Sequence, residues 1–405
     1  MNMKIKVLLA VLVAIFISGC SDVIIPDKEG WKHAQKEEFL KILKTDKYAS
    51  ICNQQALYAQ VLSTKNSLLM SNLLVEYTKN LANGCINLHV SKDYSVYRQR
   101  VSKSNIMMRI KAGHTIEQIL APYVPKYREF DRLLTRYKAL ENDSNISSST
   151  LYKIRLNIER IKLMKPDNGK NYALINIPEF RVRIIENNIE AVSMAVVVGK
   201  KKMPTPIFST DLKYITLNPQ WSVPDSIARN EIIPKLIRNP NYLKRKRMVM
   251  RSSYDLNSKK LSPSSVNLKK YSGGKGHVPF KFIEVPSKRN GLGRVKFIFP
   301  NRHSVYMHDT QSKHLFKRKV RMYSHGCVRL SQPIEMLEHI TVNYTARSYA
   351  EVKKMYDSLK SRHVSLNKKL AVHTAYLTAY VDDTGKLLLF NDVYGFDSSQ
   401  RLNFK

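Results

Sequence analysis

The chain reads Y-M-H-D-T-Q-S-K-H-L-F at residues 306–316 and Y-S-H-G-C-V-R-L at residues 323–330. Fifteen residues separate His308 from Ser324. A thiol with an ordinary pKa of about 8.5 is mostly protonated at neutral pH, so a nucleophilic cysteine needs an imidazole or a helix N-terminus beside it. His308 is therefore the candidate base and Cys327 the candidate nucleophile. Pro333 predicts the start of a helix close to that cysteine.

The loop before the cysteine has a second feature of acyl-transfer sites. Gly326 has no Cβ, so a substrate carbonyl could approach the backbone at that position. The amides around Gly326 and Cys327 are therefore candidate donors of an oxyanion hole. Ser324 and His325 are expected to hold this loop in shape.

Outward from this stretch, the second half of the chain has the period-two pattern of strands. Alternation runs from Tyr172 to the Asn-Asn pair at 187–188 and continues from Ile189 to Val198, which predicts a hairpin. Helices are predicted after Pro333 and from Tyr349 to Leu359. Further strands are predicted at 292–299, 304–307, 372–380 and 386–390.

The first half of the chain has helical spacing instead. Residues 31–140 contain few β-branched runs, and the helical period resumes at 151–162 after a polar stretch at 142–150 that is typical of a linker. Between the strands of the second half, residues 222–290 are long, basic and interrupted by Pro and Gly. A loop of that length in a compact domain is usually functional or mobile.

The N-terminus has the order of a secretory signal, because two lysines precede the apolar run at 7–17 and small residues follow it. Eleven apolar residues are too few to span a bilayer, which takes roughly 20. Ile17-Ser18-Gly19-Cys20 resembles a bacterial lipobox, which implies lipidation of Cys20, and Ser21 resembles lipoproteins sorted to the outer membrane. The alternative is a soluble signal cleaved near Ser18. We therefore expect a periplasmic, lipid-anchored protein.

Three cysteines remain after Cys20. One hypothesis pairs Cys52 with Cys85, since both lie in the N-terminal segment of an exported chain, and leaves Cys327 reduced. The alternative is two unpaired buried thiols. The net charge is +36, from 68 Lys plus Arg against 32 Asp plus Glu, and is spread along the chain. In an exported protein this charge favours anionic wall and lipid groups, and we expect no nucleic-acid partner.

The two motifs resemble the YkuD-type L,D-transpeptidase domain, and most closely its larger YcbB-like branch in Gram-negative bacteria. The similar segments lie between about residues 176 and 337 and include T-P-I-F, L-N-P-Q-W-S-V-P, L-G-R-V-K-F and F-P-N-R-H-S-V-Y-M-H-D-T. The resemblance implies an α+β chain. Its parts would be a signal at 1–20, a helical scaffold at 21–165 and a β-rich catalytic domain at 171–400, with a capping insertion at 222–290. We call that insertion the lid segment.

The resemblance also implies a reaction on peptidoglycan stem peptides that forms 3-3 cross-links. Cys327 would form a thioester with the third residue of a tetrapeptide stem and expel D-alanine, with His308 as the base. Tyr306 and Trp221 match active-site positions of the family. Arg329 stands where many members have Asn, and it either clamps a substrate carboxylate or forms a structural ion pair. The helical peptidoglycan-binding module of the YcbB-like branch is absent, so wall binding would come from the catalytic domain, the lipid or a partner protein.

Three other functions compete with this one. A zinc hydrolase could use His308, His325 and Cys327 with His303 or His314, but the spacing is not that of a compact metal motif. An L,D-carboxypeptidase or amidase would keep the thioester and pass it to water. A non-catalytic wall anchor is the third alternative. The favoured interpretation needs no cofactor and no metal.

Overall fold

The computed structural model describes residues 28–87, 94–166 and 169–402. The predicted signal, Cys20 and Ser21 lie outside these residues. Helices dominate the chain up to residue 162 and strands dominate from residue 171 onward. The predicted α+β class is therefore confirmed, with a helical N-terminal region followed by a curled mixed sheet. In the described part of the chain, no helix combines the length and the apolar composition that crossing a membrane requires.

In its described residues the N-terminal region contains seven α-helices, and side-chain caps start several of them. The Asn66 side chain accepts hydrogen bonds from the backbone N–H groups of Leu68 and Leu69, and Thr115 forms a capping box with Gln118. The α7 helix starts at Ser148, so the predicted linker is reduced to the few residues before it. The helices are α1 (His33–Lys44), α2 (Gln55–Thr64), α3 (Ser67–Asn83), α4 (Lys103–Lys111), α5 (Ile116–Leu120), α6 (Arg128–Leu140) and α7 (Ser148–Lys162).

Strands are the main regular elements of the second region, and one of them pairs with a short strand of the first. The strands are β1 (Ile86–Asn87), β2 (Asn171–Asn176), β3 (Arg181–Glu186), β4 (Ile189–Gly199), β5 (Phe208–Asp211), β6 (Tyr214–Leu217), β7 (Trp221–Ser222), β8 (Met248–Arg251), β9 (Lys281–Glu284), β10 (Val295–Ile298), β11 (Met307–His308), β12 (Met322–Ser324), β13 (Val328–Leu330), β14 (Arg362–Ser365), β15 (Ala371–Ala375), β16 (Ala379–Val381), β17 (Leu387–Leu389) and β18 (Arg401–Leu402). The short β1 pairs with β18 near the C-terminus, which ties the two regions together.

The remaining helices are α8 (Asp225–Ile227), α9 (Ile233–Arg238), α10 (Tyr242–Arg245), α11 (Pro333–Tyr344), α12 (Tyr349–Asp357) and α13 (Phe396–Ser399). The helices predicted after Pro333 and from Tyr349 correspond to α11 and α12. A π-helical turn spans Ala228–Ile232, and short 3₁₀ turns span Ala121–Tyr123, Pro263–Ser265, Leu268–Tyr271 and Lys313–Lys317.

The large sheet has the strand order β14-β6-β10-β11-β13-β4-β3-β2-β15-β5, with β12 paired to β4. The predicted hairpin is present as β3 and β4, joined by Asn187 at φ 50° and Asn188 at φ 66°. Both residues adopt the left-handed conformation that two-residue hairpin turns require. The alternation from Tyr172 was predicted as one run, but a turn at 177–180 divides it into β2 and β3.

Both faces of this sheet are covered, which explains why β2 is apolar along nearly its whole length. Tyr172 and Leu174 pack into the core shared with the N-terminal helices. Ala173 and Ile175 point to the other side, into a second core that includes Met336 of α11. The alternating residues of one strand thus join the helical region to the β-rich region.

The lid segment is a folded unit. It has its own apolar core, which includes Val223, Ile232, Ile233, Met250 and Phe282. Its strand β9 pairs with both β7 and β8 in a separate three-stranded sheet. The Pro and Gly residues that gave it the pattern of a long loop lie between its short elements or in their first turns. The segment therefore presents a structured surface beside the large sheet.

Candidate active site

The register of three adjacent strands brings the predicted catalytic residues together. Lys296 on β10 is opposite His308 on β11, and His308 is opposite Arg329 on β13. The Val328 N–H donates to the Tyr306 carbonyl at 3.0 Å, which places Cys327 beside Tyr306. Side chains two apart on a strand share a face. Lys296, Tyr306, His308, Cys327 and Arg329 therefore lie on one face of the sheet, which we call the site face.

His308 is held as one neutral tautomer. Its Nδ1 lies 3.3 Å from the Leu292 carbonyl and also contacts the Asp309 carbonyl. Carbonyl oxygens only accept hydrogen bonds, so Nδ1 must carry the proton and Nε2 is left with a free lone pair. Burial, assisted by the charge of Arg329, lowers the pKa of His308 to about 4. At neutral pH this residue is therefore an uncharged imidazole whose Nε2 can accept a proton.

Cys327 is the free cysteine of the described residues and is partly exposed. Desolvation raises the pKa of its thiol, while hydrogen bonds from the Tyr306 backbone and hydroxyl and the charge of Lys296 oppose that rise. The Tyr306 ring lies 5.6 Å from the His308 ring, edge to face. The resting site therefore holds a protonated thiol near a neutral imidazole, which differs from a preformed thiolate–imidazolium pair.

The loop before Cys327 is stabilised from within and by the segment between β4 and β5. The Ser324 hydroxyl accepts from the Gly326 N–H at 3.1 Å and donates to the Cys327 carbonyl. Thr205 donates to the Gly326 carbonyl at 2.8 Å. Gly326 has φ 110°, a conformation that residues with a Cβ rarely adopt. The prediction that Ser324 shapes this loop agrees with these bonds, whereas the Gly326 amide already has an acceptor and is the weaker candidate for an oxyanion donor.

His325 connects the cysteine loop to the lid segment. Its Nε2 lies 2.7 Å from a carboxylate oxygen of Glu231, in the π-helical turn, and 3.3 Å from Lys200 Nζ. Burial lowers the pKa of His325, while the Glu231 charge opposes that shift. His325 therefore contacts an element that is distant in sequence, and its role in holding the loop stays a prediction.

Arg329 and Trp221 occupy different positions relative to the site face. Arg329 lies on it, and its Nε is buried without a hydrogen-bond partner. Across the described ranges, no carboxylate forms an ion pair with Arg329, so the structural ion pair considered as its alternative role is not present there. Trp221 lies on the three-stranded sheet, where its ring is 3.4 Å from the position that a Cβ of Gly291 would occupy.

The sequence reasoning missed the residues that position His308. The Asp309 side chain accepts from the backbone N–H groups of Arg294 and Thr310 and pairs with Lys313 at 2.7 Å. It thereby fixes the segment that carries the Leu292 carbonyl. Gly293 leaves room for this carboxylate, since a Cβ there would lie 2.2 Å from Asp309 atoms. The Y-M-H-D sequence contained Asp309, but its partners depend on the fold.

The other cysteines and the competing metal site are resolved by geometry. Cys52 and Cys85 form a disulfide with a Cα–Cα distance of 6.0 Å, as the pairing hypothesis predicted. Within the described ranges, the only group of metal-ligating atoms that converge is Cys52, Cys85 and Glu159. His308, His325 and Cys327 do not converge in that way, and His308 Nδ1 is occupied by carbonyls.

Comparison with known proteins agrees with this site. Residues 170–353 match the YkuD family, described as the L,D-transpeptidase catalytic domain. The chain is 25% identical over 338 residues to a Haemophilus influenzae protein named as a candidate L,D-transpeptidase, covering 81% of this chain. It spans 66% of that relative, just under two thirds of its length.

Solved structures of L,D-transpeptidases are also similar to the chain, at low identity. An enzyme from Mycobacterium smegmatis is 14% identical, with 50% of this chain and 58% of that chain covered and a TM-score of 0.22. The carbamoyl enzyme of Ldtfm with avibactam is 11% identical, with 76% and 81% covered and a TM-score of 0.26.

The matched segment contains the whole site face and the loop of Cys327. Residues 170–353 thus have the sequence of a YkuD domain, which is described as the L,D-transpeptidase catalytic domain.

Proposed function

We propose that this protein is a peptidoglycan L,D-transpeptidase that forms 3-3 cross-links through a thioester on Cys327. The observation that carries the proposal is the register of β10, β11 and β13. It places a free thiol, an oriented neutral imidazole and an unpaired guanidinium on one face of a sheet. A thiol and a neutral imidazole are the groups that a cysteine acyl transfer requires, and a guanidinium is suited to binding a substrate carboxylate.

The first half-reaction forms the acyl-enzyme. As Cys327 attacks the carbonyl of the third stem residue, its proton passes to His308 Nε2 and the carbonyl oxygen becomes negative. The carbon–nitrogen bond to the terminal D-alanine then breaks, and His308 returns the proton to the leaving amine. The low basicity of His308 favours this return, because an imidazolium in so buried a position readily loses its proton.

The second half-reaction transfers the acyl group. An amine from the side chain of the third residue of another stem attacks the thioester, and His308 Nε2 accepts the proton that this amine loses. The carbon–sulfur bond breaks, and the sulfur regains a proton from His308. Water attacking in place of the amine would give the hydrolase alternative. The Cys327 backbone N–H is the oxyanion donor that we favour, since the Gly326 N–H is bonded to Ser324.

Arg329 is proposed to bind a carboxylate of the donor stem. Its buried, unpartnered Nε lies next to Cys327 on the site face, and an anionic group there would satisfy it. Arg329 is also the feature that favours the YcbB-like branch over the members with Asn. We propose that Trp221 contributes to the wall of the substrate cleft and that the lid segment covers that cleft.

The location of the protein is a separate proposal. We propose that it is a periplasmic lipoprotein held through Cys20, in the outer membrane because Ser21 follows. Metabolic labelling with a radioactive fatty acid tests this, with Cys20→Ala as the control. Label on the Cys20→Ala protein, or none on the wild type, would exclude the anchor.

Muropeptide analysis tests the enzymatic proposal. Sacculi or purified tetrapeptide muropeptides are incubated with wild type, Cys327→Ala and His314→Gln, and the products are separated and weighed. We expect 3-3 linked dimers with the wild type and with His314→Gln, whose altered histidine is exposed and lies outside the site face. Cys327→Ala should give none. Conversion of tetrapeptides to tripeptides alone would establish hydrolysis, and equal activity of Cys327→Ala would contradict a cysteine mechanism.

A further inference from the structure

Lys296 is a charged residue on the site face that the proposed mechanism does not use. It lies on β10 directly opposite His308, and its Nζ is 3.8 Å from the centre of the Tyr306 ring. An ammonium group over an aromatic ring is held by a cation–π attraction. Tyr306 in turn interacts with the sulfur of Cys327 and favours its thiolate. One ring therefore links this cation to the nucleophile.

The charge of Lys296 is not neutralised by a neighbouring acid. Within the chain segments that the structure describes, no carboxylate lies within ion-pair distance of its Nζ. Besides Lys296, the charged and titratable groups around Cys327 and its loop include Tyr306 just before β11, His308 on β11, Arg329 on β13, His325 in the loop, and Lys200 and Glu231 beside His325. Of these, only Glu231 is acidic, and it is paired with His325 at 2.7 Å. The field of Lys296 at the sulfur is therefore largely uncompensated.

We propose that Lys296 is a positioning residue that favours the thiolate form of Cys327 and fixes the Tyr306 ring that contacts the sulfur. This inference rests on the proposed function of Cys327. His308 is a weak base in its buried site, and removing the thiol proton to it is therefore uphill. A fixed positive charge near the sulfur lowers that cost and also stabilises the negative oxygen that forms beside it. Burial lowers the pKa of Lys296, and the thiolate of Cys327 opposes that shift, as expected for two groups that sense each other.

The pH dependence of Cys327 alkylation tests this inference without peptidoglycan. Full-length protein is treated with iodoacetamide across a pH range, and the rate is followed by mass spectrometry of the peptide that contains Cys327. In Lys296→Met, which keeps the length of the side chain, we expect the apparent thiol pKa to rise by about one unit, and alkylation at pH 7 to slow by up to about tenfold. Lys296→Arg should restore most of the rate, because the charge returns.

Two controls separate this effect from loss of structure or of total charge. Lys213→Met removes the same charge from an exposed residue between β5 and β6 and should leave the alkylation profile unchanged. Thermal unfolding should show that Lys296→Met is folded. The role of Lys296 would be overturned if the pH profile of Cys327 alkylation were unchanged in Lys296→Met. It would also be overturned if alkylation at pH 7 were as slow in Lys296→Arg as in Lys296→Met. Neither result would affect the proposed function, which the muropeptide assay tests separately.

Discussion

The two cysteine sites of this chain differ in how completely their charged neighbours are paired. Beside the Cys52–Cys85 disulfide, the buried carboxylate of Glu159 accepts from the Cys85 N–H at 2.6 Å, from Arg155 Nε at 2.8 Å and from Lys162 Nζ at 3.1 Å. Around Cys327, Lys296 and Arg329 lack a carboxylate partner in the described residues. A network whose hydrogen-bonding capacity is used internally stabilises the fold, whereas one with unused capacity is able to bind a substrate.

Among changes near the two cysteine sites, we expect the largest loss of reaction rate from a substitution of His308. His308→Gln removes the base but keeps a side chain of similar size, so product formation should fall by about 10²–10⁴-fold. Initial rates on tetrapeptide muropeptides measure it, with His314→Gln as the matched control. A fall of less than tenfold in the folded variant would show that another group accepts the thiol proton.

Removing the disulfide should have the opposite effect, because it should lower the stability of the fold and leave the reaction rate nearly unchanged. The bond closes a loop of 33 residues, for which chain-entropy arguments give about 4 kcal/mol. The double variant Cys52→Ser, Cys85→Ser should therefore lose about that much free energy of unfolding in denaturant titrations. Its rate on muropeptides at low temperature should stay within a few-fold of wild type. A selective loss of rate without a loss of stability would make this pair part of the active site.

The buried base should also make the protein sensitive to acid. Burial lowers the pKa of His308 to about 4, whereas the unfolded residue binds a proton near pH 6.5. Between these values the unfolded chain holds more protons, so stability falls as the pH decreases from about 6.5 to 4. From pH 7 to pH 5 we expect His308 to contribute a loss of about 2 kcal/mol. Denaturant titrations at both pH values measure the decrease in the free energy of unfolding. This decrease should be smaller in His308→Gln than in the wild type by about that amount, and equal decreases in the two proteins would contradict a buried neutral imidazole.

The smallest expected effect concerns the link between the cysteine loop and the lid segment. Glu231→Gln removes a partly exposed ion pair with His325, and such pairs contribute about 1 kcal/mol or less. We expect the free energy of unfolding to change within that range. The KM for muropeptides should rise a few-fold, because the lid would be held less firmly. A large fall in kcat with unchanged KM would instead place Glu231 in the chemistry.

Much of the fold could be predicted from periodicity and turn residues. The Asn187-Asn188 turn and the helix starting at Pro333 follow from local backbone preferences, and both are present in the structure. The turn that separates β2 from β3 was missed, because both faces of these strands are buried and the apolar pattern continues across the turn. The core of the lid segment was missed as well, since its elements are short and widely separated in sequence.

Some residues of the candidate site could likewise be predicted from the sequence, whereas others are revealed only by the fold. His308 and Cys327 were predicted from the chemistry of two short motifs, and Tyr306 and Arg329 from the resemblance of those motifs to the L,D-transpeptidase family. Lys296 belongs to a third strand, and only the register of β10 with β11 places it opposite the base. The carbonyl partners that fix the tautomer of His308 are backbone groups, which leave no side-chain signal in a sequence. The partner of His325 depends on the packing of the lid segment.

The most direct test of the central claim is the mass of the enzyme during turnover. Wild-type protein is mixed with a tetrapeptide muropeptide, quenched in acid and digested, and the peptide that contains Cys327 is weighed. The account predicts an added acyl group that corresponds to the substrate without D-alanine and that hydroxylamine removes, as it does thioesters. An acyl group on any other residue, or product formation without any adduct on Cys327 under rapid quenching, would contradict it.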